Sequence, residues 1–134
     1  MSAGDVEAVR EVYEAYNAGD FERGEELLHE EVELHQWGAV VDSDVYKGRQ
    51  EFVRGLVRWT SGFEPGFQYL PEDLVDGPAG VLMRCRLRGR GRASGAELEE
   101  LTWHVWEVRD GKPYRCAVYS EEADARAAAG LASG

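Results

Sequence analysis

The spacing of apolar residues changes along the chain from a helical period to strict alternation. Intervals of three or four residues predict helices at 5–17, 21–29, 49–60 and 121–129. Alternation predicts strands at 31–37, 67–75 and 80–92, a short strand around Val45-Tyr46, and two more strands within 97–120. Helices come early and strands late, so the expected fold class is α+β, with helices on one face of a curved antiparallel sheet.

Local signals mark where several of these elements begin and end. Asp5 and Asp20 precede the first two helices and are expected to cap them. Gly19 suits the left-handed conformation that ends a helix. Pro71 lacks an N–H donor, so its strand is expected to lie at a sheet edge or to contain a bulge.

The segment LTWHVWEVRDGK, residues 101–112, is predicted to form the middle strand of an antiparallel meander. Thr102, His104 and Trp106 lie on one face of this strand, and Leu101, Trp103 and Val105 lie on the other. Both faces carry large side chains, so both need neighbours. We expect the His104 face to line a ligand pocket and the Trp103 face to meet a second subunit.

The preceding hairpin has a predicted register. Segment 80–92 alternates apolar residues with arginines, and Ser94-Gly95 suits a two-residue turn. The pairs expected from this turn are Arg92 with Glu97, Arg90 with Glu99, Arg86 with Trp103, Cys85 with His104, and Met83 with Trp106. The two opposite-charge pairs support the register, because such cross-strand pairs stabilise a sheet.

The turn at Arg109-Asp110-Gly111 allows two registers. A three-residue loop with Gly111 in the left-handed conformation places His104 opposite Cys116 and Thr102 opposite Val118. A two-residue Asp110-Gly111 turn shifts the strand by one residue and reverses its faces. We prefer the three-residue loop, because Cys116 and Val118 suit an apolar pocket.

Composition limits the classes of function. The 134 residues indicate one domain, 1–134, with 26 acids against 15 bases and a formal net charge of −11. This charge argues against binding to nucleic acid or to anionic membranes, whose phosphates require a basic surface. Two cysteines and an acidic start with no apolar leader predict a reduced, cytoplasmic protein.

Three strings resemble the SnoaL-like branch of the NTF2-like superfamily: EAYNAGDFERGEELLHEEVELH (14–35), VYKGRQEFVRGL (45–56) and HVWEVRDGKPYRCAVYSEEADARAAAGL (104–131). The resemblance implies a cone-shaped α+β barrel, with a curved antiparallel sheet wrapped around helices and an internal pocket. It also implies a homodimer formed through the outer face of the sheet. Relatives include ketosteroid isomerases, polyketide cyclases, scytalone dehydratase and limonene epoxide hydrolase, and some members only bind.

The isomerase pattern can be compared position by position. Ketosteroid isomerases use a tyrosine on the first helix, an acid on the first strand and a second acid on the penultimate strand. The resemblance places Val12, Gln36 and His104 at these positions, so none of the three residue types is retained. Polyketide cyclases place an acid–base residue on the later strands, and His104 is the nearest equivalent.

His104 is therefore the candidate catalytic residue, because imidazole can exchange a proton near neutral pH. The predicted substrate-binding residues are Tyr16, His35, Gln36, Trp37, Trp59, Met83, Cys85, Trp106, Cys116 and Val118. His35 and Gln36 point in opposite directions, and the family register favours Gln36 in the pocket unless a bulge near Trp37 reverses it. No metal is expected, since Cys85 and Cys116 lack the recurring ligand spacing of a zinc site.

The sequence supports two functions. The preferred one is a cofactor-independent isomerase, cyclase or hydratase–dehydratase that acts on a small or medium apolar carbonyl or polycyclic substrate. His104 would be its acid–base group, with Gln36 and Tyr16 orienting the substrate oxygen. The alternative is a non-catalytic NTF2-like module that binds an apolar ligand or a protein partner.

Overall fold

The computed structural model describes residues 3–36 and 45–132. The elements are α1 (Ala3–Asn17), α2 (Phe21–Leu27), β1 (Glu33–Gln36), β2 (Val45–Lys47), α3 (Arg49–Thr60), β3 (Gln68–Asp76), β4 (Val81–Arg90), β5 (Glu97–Arg109), β6 (Lys112–Tyr119) and α4 (Glu122–Ala128). Their order confirms the order predicted from the sequence. Trp37 lies outside the described residues, and the side chains of Gln36 and Trp59 are not among those described.

The junction of the first two helices follows its sequence signals. Gly19 has a φ of 79°, the left-handed conformation expected after a helix. The Asp20 carboxylate accepts a hydrogen bond from the Arg23 N–H at 3.1 Å and so caps α2. The predicted cap at Asp5 is wrong, because α1 begins at Ala3 and Asp5 lies in its first turn. A carboxylate there still faces the positive end of the helix dipole.

The six strands form one open, curved sheet in the order β2-β1-β6-β5-β4-β3. The β3 to β6 pairings are antiparallel, as predicted for the meander. The prediction of a wholly antiparallel sheet is wrong for one pair of strands, because β1 runs parallel to β6. A long connection that contains α3 separates these two strands, so no hairpin imposes opposite directions on them.

Strand β3 lies at the edge of the sheet, and its register shifts between Pro71 and Asp73. Both consequences predicted for Pro71 are therefore confirmed. Because the missing N–H falls at an irregularity of an edge strand, it disrupts the sheet little.

The β4–β5 register differs from the prediction by two residues. Arg90 pairs with Glu97 and Arg88 with Glu99, because the connection is a longer loop over 91–96. Within this loop the Gly91 N–H donates to the Ala96 carbonyl at 2.9 Å. The predicted pairs of this hairpin are therefore wrong, and Arg92 and Glu97 do not pair. The observed pairs are Arg84 with Trp103, Met83 with His104, Cys85 with Thr102, and Val81 with Trp106. A shift of two residues preserves the faces, so the predicted apolar face of β4 is correct.

The β5–β6 turn is the two-residue alternative that we did not prefer. Asp110 and Gly111 have φ angles of 54° and 75°, and Arg109 pairs with Lys112. A bulge between Glu107 and Val108 then shifts the register once more. Together the turn and the bulge shift the register by two residues, so the side chains of β6 stay on their predicted faces. The resulting pairs are His104 with Val118 and Trp106 with Cys116, so Cys116 and Val118 keep their predicted face although the predicted partners are wrong.

Apolar side chains pack on both faces of the sheet. The larger cluster joins helices α1 to α3 to the inner face, around residues such as Val9, Leu28 and Trp106. On the outer face Leu82 and Val105 pack against Ala125 of α4 and against Ala129, which follows this helix, with Trp103 beside them. The expectation that all helices lie on one face is thus wrong for α4. The neighbour that the Trp103 face required is supplied in part by this helix.

Candidate functional site

A cavity of about 70 Å³ lies between the inner face of the sheet and helices α1 and α3. Its position follows from the curvature of the sheet, which leaves space between the helices and strands β3 to β6. The lining residues are Val12, Tyr13, Tyr16, Leu34, Phe52, Leu56, Tyr69, Leu87, Thr102, His104, Trp106, Cys116 and Val118. Most are apolar, as is typical of small-molecule sites with few polar groups.

Four polar side chains form a continuous hydrogen-bonded chain along one wall. The Trp106 Nε1–H donates to the Tyr13 hydroxyl oxygen at 2.7 Å. The same hydroxyl lies 2.7 Å from His104 Nδ1. His104 Nε2 lies 3.0 Å from Thr102 Oγ1. All four residues are buried, with at most 6% of their surface exposed. Tyr13 of helix α1 therefore contributes one hydroxyl to this hydrogen-bonded chain of side chains. The other three members are alternate residues of β5.

The chain has a direction when His104 is neutral. The Tyr13 oxygen accepts from Trp106, which can only donate, so its own hydrogen is free to be given to His104 Nδ1. In the tautomer of His104 that accepts this hydrogen at Nδ1, the ring hydrogen lies on Nε2 and is donated to Thr102 Oγ1. Burial lowers the pKa of His104 from 6.5 to about 4, because the protonated ring would lose its hydration. The uncharged form is accordingly the form present at neutral pH.

Two tyrosine hydroxyls at the cavity have no hydrogen-bond partner among the described residues. The hydroxyl oxygens of Tyr16 and Tyr69 are buried, yet neither is bonded to another group within 3–36 and 45–132. Burial raises the pKa of both phenols well above its usual value, so both are protonated donors. A buried hydroxyl without a partner costs free energy. Both hydroxyls are therefore polar groups of the cavity that a ligand can use.

Asn17 holds the two tyrosines side by side. Its side chain donates to the Tyr69 carbonyl at 2.7 Å and accepts from the Tyr69 N–H at 2.9 Å. Asn17 follows Tyr16 directly, so the end of α1 is tied to edge strand β3 at this point. The pair also satisfies backbone groups that an edge strand otherwise leaves to solvent.

The cysteines are not arranged for nucleophilic chemistry. Cys116 lines the cavity, whereas Cys85 is fully buried beside it in the core. Burial raises the pKa of the Cys85 thiol to about 12 and raises that of Cys116 as well. A reactive cysteine requires the opposite shift, because the thiolate is the nucleophile. Among the described residues no three His, Cys, Asp or Glu side chains converge to hold a metal.

The structure brings five of the predicted site residues together. Tyr16, His104, Trp106, Cys116 and Val118 all line the cavity. Their presence there does not test whether they bind or convert a substrate. For Gln36 the structure gives only the backbone position in β1, opposite Val118.

Three other predicted residues lie elsewhere. Met83 and Cys85 are completely buried in the core rather than on the described lining of the cavity. His35 alternates with Leu34, which does line the cavity, and its Nε2 contacts Glu33 Oε1 at 2.9 Å. His35 therefore belongs to the other side of β1.

Sequence reasoning missed two polar residues of the site, Tyr13 and Tyr69, and one contact of a third, Thr102. Spacing from the family pattern selected Val12 as the tyrosine position, but the neighbouring Tyr13 bonds His104. Tyr69 was overlooked because it lies in an irregular edge strand. Thr102 was placed on the correct face, but its hydrogen bond to His104 was not foreseen. The usable signal was their chemistry, since hydroxyl-bearing residues on an apolar face need partners.

These features define a class of protein: a curved, mixed sheet that folds over three helices and encloses an apolar pocket is the NTF2-like fold. The profile of the SnoaL-like domain matches residues 9–115, and the chain belongs to this family. A search of curated proteins found no significant match. None of the helices in 3–36 and 45–132 is long and apolar enough to cross a membrane.

Solved structures share the fold at low sequence identity. Bal32a, from a soil-derived mobile gene cassette, is 21% identical over 91% of this chain and 92% of its own, with a TM-score of 0.78. A putative SnoaL-like polyketide cyclase from Jannaschia sp. CCS1 is 14% identical over 99% and 98%, with a TM-score of 0.75. TerC, crystallised with polyporic acid, is 17% identical over 95% and 98%, also with a TM-score of 0.75. At these identities the likeness concerns the fold alone.

Proposed function

We propose that this protein binds a small, mainly apolar molecule that carries an oxygen atom, and that Tyr16 and Tyr69 hold this oxygen. The observation that carries the proposal is the pair of buried phenol hydroxyls without partners beside an apolar cavity. A ligand carbonyl or ether oxygen would accept their hydrogen bonds and remove the cost of leaving them unpaired. TerC, a structural relative, was crystallised with an organic molecule, which is in keeping with small-molecule binding on this fold.

The size of the cavity restricts the ligand. Its volume is about 70 Å³, roughly half that of an apolar cavity of about 150 Å³ that holds benzene. The part of the ligand inside this cavity is therefore expected to be a short chain or a small group. A polycyclic substrate, one of the alternatives suggested by the sequence, would have to extend beyond this cavity.

Catalysis is the second candidate function, and the chain Trp106–Tyr13–His104–Thr102 favours it. A purely apolar binding site has no need of four buried polar groups, each of which must be kept satisfied. As an enzyme, the protein would work without a cofactor as an isomerase, cyclase or hydratase, with His104 as the acid–base group. Because His104 is neutral, its first role would be to donate Nε2–H to a developing oxyanion in place of Thr102 Oγ1, which lies 3.0 Å from Nε2, with Tyr13 supporting the ring from Nδ1.

Native mass spectrometry of the protein with a panel of small ketones, phenols and esters tests binding. We expect retained ligands in the wild type and weaker retention in Tyr16→Phe/Tyr69→Phe, which keeps the rings and removes the hydroxyls. Equal retention in both proteins would contradict the proposed role of the hydroxyls. Ligands that bind are then assayed for turnover with His104→Ala as the comparison. Binding without turnover in either protein would leave the binding function and refute catalysis.

For assembly, we propose a homodimer formed through the outer face of the sheet. On this face Arg84 and Arg86 both pair with Glu72, at 3.3 and 2.6 Å, and Trp103 is only half-buried beside α4. An aromatic centre surrounded by paired charges is typical of an interface. Light scattering at micromolar concentration should give twice the chain mass of 15.0 kDa, and a monomer mass would refute the dimer. The two free cysteines, Cys85 and Cys116, support our further proposal of a reducing, cytoplasmic location.

A further inference from the structure

A second cavity of about 170 Å³ lies next to the first, on the outer side of Tyr16 and Tyr69. Three side chains, Tyr16, Leu56 and Tyr69, line both cavities. We call the first cavity the inner chamber and the second the outer chamber. The two unpartnered hydroxyls belong to side chains that line both chambers.

The outer chamber has an aromatic wall. The ring centroids of Phe63 and Phe67 are 4.8 Å apart, and those of Phe67 and Tyr69 are 5.1 Å apart. Gly89 permits this arrangement, because a Cβ at that position would overlap the Phe67 ring. Such a row of rings offers edges and faces against which a planar ligand group can pack.

The opposite side of the outer chamber is apolar and open to solvent. Phe21 and Val57 line it and are 56% and 55% exposed, which makes them the two most exposed large apolar side chains in the described part of the chain. Exposed apolar side chains that gather around a cavity mark a ligand-binding surface. Glu64 and Arg92 complete the lining with charged groups.

We propose that the two chambers together hold one elongated ligand of the alkyl aryl ketone type. The alkyl group occupies the inner chamber, the carbonyl oxygen accepts from Tyr16 and Tyr69 at the boundary, and the aryl ring lies in the outer chamber. This inference rests on the proposed binding function and adds the shape and class of the ligand. The volumes favour this orientation, since an apolar cavity of about 150 Å³ holds benzene, and the outer chamber exceeds this volume at about 170 Å³ whereas the inner chamber has about 70 Å³.

Asn17 acts as a positioning residue in this arrangement. Its two hydrogen bonds to the Tyr69 backbone fix the distance between the last turn of α1 and β3. Gly24 of α2 allows the Tyr16 ring to pack closely against this helix, because a Cβ at position 24 would lie 2.9 Å from ring carbons. Both phenols are thus held in place before a ligand arrives, which reduces the entropy lost on binding.

Three probes separate the parts of the ligand. Butyrophenone has an alkyl chain, a carbonyl and a ring; 2-pentanone has no ring; butylbenzene has no oxygen. Dissociation constants are measured by calorimetry for the wild type, Tyr69→Phe, Val57→Glu and Val45→Glu. Val57 lines the outer chamber, whereas Val45 is an exposed valine of β2 that does not line it, so Val45→Glu controls for the added charge.

We expect the wild type to bind butyrophenone about tenfold or more tightly than 2-pentanone, because the ring buries apolar area. Tyr69→Phe should weaken butyrophenone about three- to tenfold and leave butylbenzene unchanged, since only the ketone uses the hydroxyl. Val57→Glu should weaken butyrophenone about fivefold and spare 2-pentanone. Val45→Glu should change neither.

The outcomes distinguish this inference from the proposed function. Equal affinity for butyrophenone and 2-pentanone, with Tyr69→Phe weakening both, overturns the use of the outer chamber and leaves the binding function intact. A preference for butyrophenone that Val57→Glu does not reduce also overturns it, because the ring would then lie elsewhere. If none of the three probes binds at millimolar concentration, both the inference and the proposed function fail.

Discussion

Acidification from pH 7 to pH 4 should destabilise this protein through His104, and the size of the effect follows from the structure. Burial gives the folded histidine a pKa of about 4, against 6.5 for an unperturbed histidine. Between these pH values the unfolded chain binds a proton that the folded chain does not. The free energy of unfolding therefore falls as the pH drops through this range and levels off below about pH 4.

The difference between 6.5 and about 4 corresponds to about 3 kcal/mol, at roughly 1.4 kcal/mol for each pKa unit. No discount for solvent screening is needed, because only 5% of His104 is exposed. Protonation would also turn Nδ1 into a donor facing Tyr13, whose oxygen already accepts from Trp106. The Tyr13 hydrogen would then lose its acceptor on His104.

Urea denaturation at a series of pH values measures this effect. His104→Asn is the comparison, because its amide oxygen can still accept from Tyr13 and it does not titrate. Carboxylates that titrate over the same range contribute in both proteins, so the difference between the two curves isolates His104. The wild type should lose about 3 kcal/mol more than the variant between pH 7 and pH 4. Parallel curves for wild type and His104→Asn would refute the reasoning.

Two further substitutions test the packing and the capping of α2. Gly24→Ala should destabilise the protein by about 1–3 kcal/mol, because the new Cβ would lie 2.9 Å from the Tyr16 ring, whereas Gly62→Ala, where nothing lies within 4 Å, should be close to neutral in thermal melts. Asp20→Ala should cost about 1 kcal/mol by removing the acceptor for the Arg23 N–H, and an unchanged urea midpoint would show that this cap contributes nothing.

The inner face of the site was predictable because alternation fixes which side chains share a side of a strand. Thr102, His104 and Trp106 line the cavity as their spacing predicted. The predicted cross-strand partners were wrong, yet each error amounted to an even number of residues. At the β5–β6 hairpin this happened because a two-residue turn and a bulge each shifted the strand by one. The face on which a side chain lies was therefore predicted correctly even where its cross-strand partner was not.

The contacts between distant segments could not be predicted from spacing. Tyr13 and His104 are 91 residues apart, and no local pattern indicates that the hydroxyl of one meets the ring of the other. Tyr16 and Tyr69 share a wall because Asn17 ties α1 to an edge strand. Such contacts depend on how the sheet curves over the helices. This curvature results from the packing of many side chains.

The sequence by itself determined the order of the elements, the two faces of β4 and β5, and the presence of His104 on the pocket face. These properties depend on periodicity and turn chemistry, which act over a few residues. Only the tertiary structure decided the parallel pairing of β1 with β6, the position of α4 on the outer face, and the hydrogen bond between Tyr13 and His104. They depend on burial and on contacts between segments far apart in the chain, and these exist only once the chain has folded.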